Sequence, residues 1–299
     1  MPRARANGIG IHYQSVGTAA DVIMIHGLTA NLTFWHLHLA HYPLNKQFRI
    51  TTYDLRGHGY SDMPSTGYTS ADLAKDLCGL LDHLGIERAN IVGHSFGGAV
   101  ALHFALLFPE RVKTVTLADA RVPSLQPLRR LSERQSWNVR RRRIQNYGIE
   151  IPDDTPQLIY SAVKEISREQ DLEPAFSRPP QFASSDNWEL DIRAGRRWRM
   201  LLERTSALTD FTNAAGLTAG SIHQITQPTL AIYGEYSYCM PTCNGLTELL
   251  PRCTKIIVPA AGHLHPALRP LNFIKHLMRF IKCHDKDYSK ATRIYNNSK

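Results

Sequence analysis

Short apolar runs alternate with longer amphipathic stretches along most of this chain. Residues 22–25, 49–54, 89–93, 114–118, 229–233 and 255–258 are brief and rich in β-branched side chains. Their apolar positions are consecutive rather than alternate, so they predict strands buried on both faces. Between them, residues 70–84 place Leu73, Leu77, Leu80, Leu81 and Leu84 on one helical face, and 97–108, 242–250 and 271–283 predict further helices. Residues 7–17, with glycine near both ends, predict a leading antiparallel hairpin. Such alternation is the mark of a largely parallel sheet covered by helices. It stops near Arg121 and resumes at Gln227-Pro228-Thr229, so the intervening block reads as an insertion between two strands. The expected layout is a core of residues 1–120 and 216–283, a helical insertion over 121–215 and a polar tail over 284–299.

With 299 residues, 43% hydrophobic and 20% charged, the chain can bury a large core, which excludes a disordered tract or a collagen-like fibre. Its 35 Lys and Arg against 26 Asp and Glu leave a formal charge of +9, which suggests a basic face and an acidic partner. Every apolar run is interrupted well short of the roughly 18 residues a membrane span requires. The basic start, Met1-Pro2-Arg3-Ala4-Arg5, leads into no apolar segment, so no secretory signal is read and a cytoplasmic location is expected. Five cysteines suit reduced thiols better than a disulfide framework. Cys239 and Cys243 are spaced C-x3-C without a second Cys/His pair to complete a tetrahedral site, so no metal is expected there.

The strongest chemical signal is Gly93-His94-Ser95-Phe96-Gly97-Gly98, which follows a predicted strand and precedes a predicted helix. This is the G-x-S-x-G pattern of a nucleophile elbow in its confirming context. A sharp strand-to-helix turn holds the serine in strained backbone geometry, and small flanking residues let the two backbones cross. The turn raises the Ser95 hydroxyl above the sheet and puts the Phe96 N–H at a helix N-terminus, where it can donate to a developing oxyanion.

Over residues 8–280, apart from most of the insertion, the chain resembles the α/β-hydrolases that carry a cap after the sixth strand. The resemblance implies a mostly parallel eight-stranded sheet with helices on both faces. His26-Gly27-Leu28-Thr29 is similar to the family's oxyanion loop, which assigns the second oxyanion donor to the Leu28 N–H. The segment from Tyr53 to Asp62 matches the D-x-R-G-x-G-x-S loop, read as structural. The general base falls in Pro259-Ala260-Ala261-Gly262-His263-Leu264-His265-Pro266, where motif register favours His263 and leaves His265 as its competitor. The acid departs from the pattern, because Gly234-Glu235-Tyr236-Ser237 has a serine where the family shows aspartate. Asp119, at the end of the sixth strand, is the preferred substitute; Glu235 is the second candidate, and a site without a carboxylate is the third.

Ser95 also excludes. Epoxide hydrolases and haloalkane dehalogenases of this fold attack with aspartate. The carbon–carbon bond hydrolases usually show a Gly-Pro-Gly-like oxyanion loop, which Leu28-Thr29-Ala30-Asn31 lacks, and proline iminopeptidases usually carry a Trp-containing elbow. The expected activity is cofactor-independent cleavage of a carboxylic ester or thioester, with a small-molecule acyl substrate. Acyl transfer by the same groups and a non-hydrolytic binding protein of the same fold are the alternatives. Within the insertion, Arg129, Arg130, Arg134, Arg140, Arg141, Arg142 and Arg143 cluster around Trp137 with Glu133 alone opposing them. No nucleic-acid motif accompanies them, so the cluster reads either as a solvated helix face or as a rim attracting coenzyme A phosphates or an acidic acyl-carrier protein. Phe176, Phe182, Trp188, Trp198 and Phe211 are candidates for the acyl pocket or for packing within the cap.

Overall fold

The computed structural model describes residues 2–36, 44–126 and 188–285, with the side chains of 188–195 excepted. Eight strands form one sheet: β1 (Arg3–Ala6), β2 (Ile9–Val16), β3 (Ala20–Ile25), β4 (Phe48–Tyr53), β5 (Ala89–His94), β6 (Val112–Ala118), β7 (Thr229–Gly234) and β8 (Cys253–Val258). Their spatial order is β1-β2-β4-β3-β5-β6-β7-β8. The first two pairings are antiparallel and the other five parallel, as the expected fold requires.

The leading hairpin begins earlier than its glycines suggest. Asn7 and Gly8 adopt φ of +48° and +81°, and Ala6 pairs with Ile9 across them. Asn-Gly is therefore the two-residue turn between β1 and β2, a position that requires positive φ twice, while Gly17 lies beyond the end of β2. Strand β1 reads Arg-Ala-Arg-Ala, and its inward alanines give too weak an apolar signal to announce a strand.

The central strands bury both faces because adjacent side chains point to opposite sides of the sheet. Ile23, Ile25, Ile91, Leu117, Ala231 and Tyr233 share one hydrophobic cluster, which includes residues of α1 (Ser70–His83) and α2 (Phe96–Leu107). Val22, Met24, Val92, Leu230 and Ile232 face the other cluster. Further along the chain come α3 (Trp188–Arg204), α4 (Met240–Leu249) and α5 (Pro270–His284). Cys243 and Leu246 of α4 join the first cluster, and Phe273, Ile274, Leu277 and Ile281 of α5 cover the second. Burying each of these α5 side chains stabilises the fold by about 1.5–3 kcal/mol before the entropy of ordering is subtracted. A capping box between Thr69 and Asp72 starts α1.

Buried polar groups tie the end of α5 to the sheet. Asn90 Nδ2 donates to Asp285 Oδ2 at 2.8 Å, Thr114 Oγ1 donates to Asn90 Oδ1 at 2.7 Å, and Lys113 Nζ lies 3.4 Å from Asp285. Asp285 is itself buried; the rest of the expected polar tail lies outside the described residues.

The later part of the expected insertion packs on the loop after β4. Leu201 lies against Gly57, Trp198 and Phe211 stack at 5.9 Å, and Phe211 meets Phe96 edge to face at 5.2 Å. Trp198 and Phe211 are buried in the same cluster as α1 and α2. The arginine cluster with Trp137, and Phe176 and Phe182, lie outside the described residues, as does the side chain of Trp188. Among the described residues no helix is long and apolar enough to cross a membrane.

Candidate active site

Ser95 joins β5 to α2 with φ +54° and ψ −121°, a conformation that non-glycine residues adopt only under constraint. The constraint is visible: Ser95 N donates to Ala118 O at 3.2 Å, and Ser95 O accepts from Gly98 N at 3.0 Å and Arg121 N at 2.9 Å. Glycines permit the crossing. A Cβ on Gly93 would stand 2.2 Å from Gly97 O, and one on Gly97 would stand 2.5 Å from Ile25 O. The predicted elbow is therefore present in form, with the Phe96 N–H in the first turn of α2.

The loop after β3 closes on the same point. A Cβ on Gly27 would lie 2.9 Å from Ser95 Cβ, so the backbone leading to Leu28 passes beside the serine. Neither the Leu28 nor the Phe96 N–H donates to an acceptor among the described residues. The loop after β4 holds this arrangement from behind. Asp54 accepts from Leu32 N and Tyr60 N, each at 2.8 Å, and lies 2.7 Å from His12 Nδ1. Arg56 Nε donates to buried Asp76 at 2.6 Å. These groups are structural, as the sequence implied. His26 and His58 are packed here too: His26 Nε2 accepts from Leu55 N at 3.1 Å, and burial with the neighbouring His26 pushes His58 down to about 3.

Asp119 and His263 meet. Asp119 closes β6 with φ +49°, and its N–H donates to Ile232 O at 2.9 Å. Its Oδ1 lies 3.7 Å from His263 Nδ1, an electrostatic contact rather than a hydrogen bond. Its Oδ2 accepts from Gly234 N at 2.9 Å and lies 2.9 Å from His265 Nε2. Burial pushes the Asp119 carboxyl up, but His263, His265, the Ser237 hydroxyl and the Gly234 N–H together hold it at about 2. Asp119 is thus ionised at neutral pH and aimed at the imidazole.

The other candidates lie elsewhere in the network. Glu235 is exposed, and its Oε2 accepts from Ala260 N at 2.7 Å, so it does not reach His263. Ser237, at the family's acid position, is buried near Asp119, and its Oγ accepts from Cys239 N at 3.0 Å. His265 is buried behind Asp119 and positions its second oxygen.

Two neighbours of His263 were not placed at this site by sequence: Tyr238, and Cys239, which was weighed only as part of the C-x3-C pair with Cys243. The Tyr238 ring lies 4.5 Å from the imidazole, centroid to centroid, with its hydroxyl on the Ser95 side. Cys239 Sγ lies 3.6 Å from His263 Nδ1, and burial pushes its thiol up to about 12. Beneath them His94 Nε2 donates to the His263 carbonyl at 3.1 Å. Only a three-dimensional turn after β7 brings Tyr238 and Cys239 here; the tyrosine belongs to no motif.

Comparison with known proteins agrees with this architecture. A family profile for the alpha/beta hydrolase fold matches residues 22–268. A putative 2-succinyl-6-hydroxy-2,4-cyclohexadiene-1-carboxylate synthase of Bacillus subtilis (strain 168) is 27% identical over 87% of this chain and 89% of its own. Epoxide hydrolase 3 of Siraitia grosvenorii is 40% identical, but the match covers 36% of this chain and 35% of that enzyme. The chain thus spans about a third of the length of that relative. Among solved structures, a carboxylesterase from Bacillus subtilis superposes with a TM-score of 0.70 at 20% identity, covering 94% of this chain and 90% of its own. That likeness speaks for the fold. The profile match spans most of the sequence, and the chain belongs to the alpha/beta hydrolase fold family.

Proposed function

We propose that this chain is a serine hydrolase cleaving a carboxylic ester or thioester of a small-molecule acyl substrate through an acyl-enzyme. The observation that carries this reading is the meeting of buried, ionised Asp119 with His263, together with the strained elbow that presents Ser95. His263 Nδ1 faces the carboxylate, which leaves Nε2 to take the proton from Ser95 Oγ as it attacks the carbonyl. The N–H groups of Leu28 and Phe96 hold the oxyanion, and collapse of the tetrahedral intermediate releases the alcohol or thiol, which takes its proton from His263. Water, deprotonated by His263, then attacks the acyl-serine and frees the acid. The 3.7 Å separation of Asp119 and His263 is compatible with a resting site, since catalytic hydrogen bonds often tighten only when substrate binds.

Serine in place of aspartate at the elbow favours acyl transfer to water over epoxide opening, even though an epoxide hydrolase shares 40% identity over a segment. An acyltransferase would use the same first step, with an alcohol or amine replacing water in the second. A panel of nitrophenyl esters and acyl-thioesters, assayed with the wild type and with Ser95→Ala, tests the proposal. Turnover of at least one substrate, lost in Ser95→Ala, is expected. Turnover that survives in Ser95→Ala overturns it.

A further inference from the structure

The Asp119–His263 contact has a third member that ester cleavage does not use. The carboxylate oxygens of Asp119, Sγ of Cys239 and a ring nitrogen of His263 offer one ligand atom each, all within 4.8 Å of one another. We propose that these three residues bind a thiophilic divalent cation such as Zn2+, and that its occupation stops turnover by capturing the His263 nitrogen that faces Asp119. The inhibitory half of this inference rests on His263 being the general base; the binding half does not.

Two of the three separations suit the ion. Tetrahedral zinc, with bonds of about 2.3 Å to sulfur and 2.0–2.2 Å to nitrogen and oxygen, separates its S and N ligands by about 3.6 Å and its O and N ligands by about 3.4 Å. Here Cys239 Sγ lies 3.6 Å and Asp119 Oδ1 lies 3.7 Å from His263 Nδ1. A second observation points to a ligand independently. Asp119 Oδ1 is buried and makes no hydrogen bond, although a buried carboxylate oxygen ordinarily finds a donor. It lies 3.7 Å from the same His263 nitrogen, and a cation between them would satisfy both groups.

The surroundings hold the three ligands in place. Asp119 Oδ2 is fixed by Gly234 N and His265 Nε2, Cys239 N donates to Ser237 Oγ at 3.0 Å, and His94 anchors the His263 carbonyl. Such outer contacts orient ligands in built metal sites. Mixed S, N and O donors select zinc over magnesium or calcium, which prefer oxygen alone. One thiolate and one carboxylate cancel the charge of a divalent ion, which a site this buried requires. The His263 side chain, 15% exposed, leaves a solvent side for the fourth ligand. Cys243, four residues on, takes no part in this cluster.

Binding has a defined proton balance. Cys239 gives up its thiol proton to solvent as the metal–sulfur bond forms. The imidazole keeps one proton, but the metal takes Nδ1 and forces that proton onto Nε2. A protonated Nε2 cannot accept the Ser95 proton, so the nucleophile stays unactivated until the ion leaves.

Cobalt(II) titrated into the full-length protein and followed by absorption spectroscopy tests the site, with zinc inhibition of ester turnover alongside. A thiolate-to-cobalt charge-transfer band saturating at one ion per chain is expected, retained in Ser95→Ala and Cys243→Ala and lost in Cys239→Ser. Zinc at ten times its dissociation constant lowers wild-type turnover about elevenfold, reversed by a chelator, as mass action requires. Asp119→Asn, a second variant of the same shape, keeps the band but binds at least about tenfold more weakly. Absence of the band in the wild type, or its survival in Cys239→Ser, overturns the cation site. A saturated band with undiminished turnover keeps the cation site and overturns His263 as the base.

Discussion

Replacing Asp119 by Asn removes one negative charge while keeping the shape of the side chain and most of its contacts. The carboxylate lies 3.7 Å from His263 Nδ1, so its attraction for the imidazolium formed during attack is about 4.5 kcal/mol at an effective dielectric constant of about 20. Solvent at the 15% exposed edge of the imidazole screens part of this, which brings the expected loss in kcat to about 10²–10³-fold. KM should change little, because Asp119 is fully buried behind His263 and touches no substrate. The assay is steady-state hydrolysis of one activated ester at pH 7, with Glu235→Gln in parallel. Glu235 is exposed and holds the Ala260 N–H, so its substitution should leave kcat within about twofold, as befits a surface change. A large loss in Glu235→Gln together with a near-normal Asp119→Asn would refute the reasoning, and so would equal losses in both.

Gly97→Ala drives a methyl group to within 2.5 Å of Ile25 O and 2.6 Å of His26 O. It should destabilise the protein by about 1–3 kcal/mol in urea unfolding and slow acylation, because the displaced atoms lead to Leu28. Asp119, held at about 2 against about 3.9 when unfolded, contributes about 2–3 kcal/mol that is fully present above pH ~5 and lost as pH falls through about 2. The stability gap between wild type and Asp119→Asn should therefore narrow from pH 5 to pH 2, and a constant gap would contradict this assignment.

The sheet was legible in the sequence because its central strands carry consecutive apolar residues that both faces require. Ile23 and Met24, or Leu230 and Ala231, point to opposite clusters, and that demand is written directly into the chain. Strand β1 was not legible, since alternating Arg and Ala bury only methyl groups. Ser95 was legible for a different reason: its elbow is local, and the glycines that permit the crossing sit within a few residues of it. The acid was not settled by sequence, because its position depends on the pairing of β6 with β7. Ala118 pairs with Ile232, which places Asp119 next to Gly234. The strand ends there: Ser237 N turns back onto Gly234 O at 3.0 Å. The same turn delivers Tyr238 and Cys239 to His263, and nothing local marks them for that place.

The account centres on Ser95 as a nucleophile activated by His263, and a covalent probe tests this most directly. Incubation with a fluorophosphonate, followed by intact mass and peptide mapping, should give one adduct per chain on the peptide bearing Ser95. Ser95→Ala should show none, and His263→Ala should label far more slowly. No adduct on wild-type Ser95 at high probe excess, or equal labelling of wild type and His263→Ala, would contradict the account.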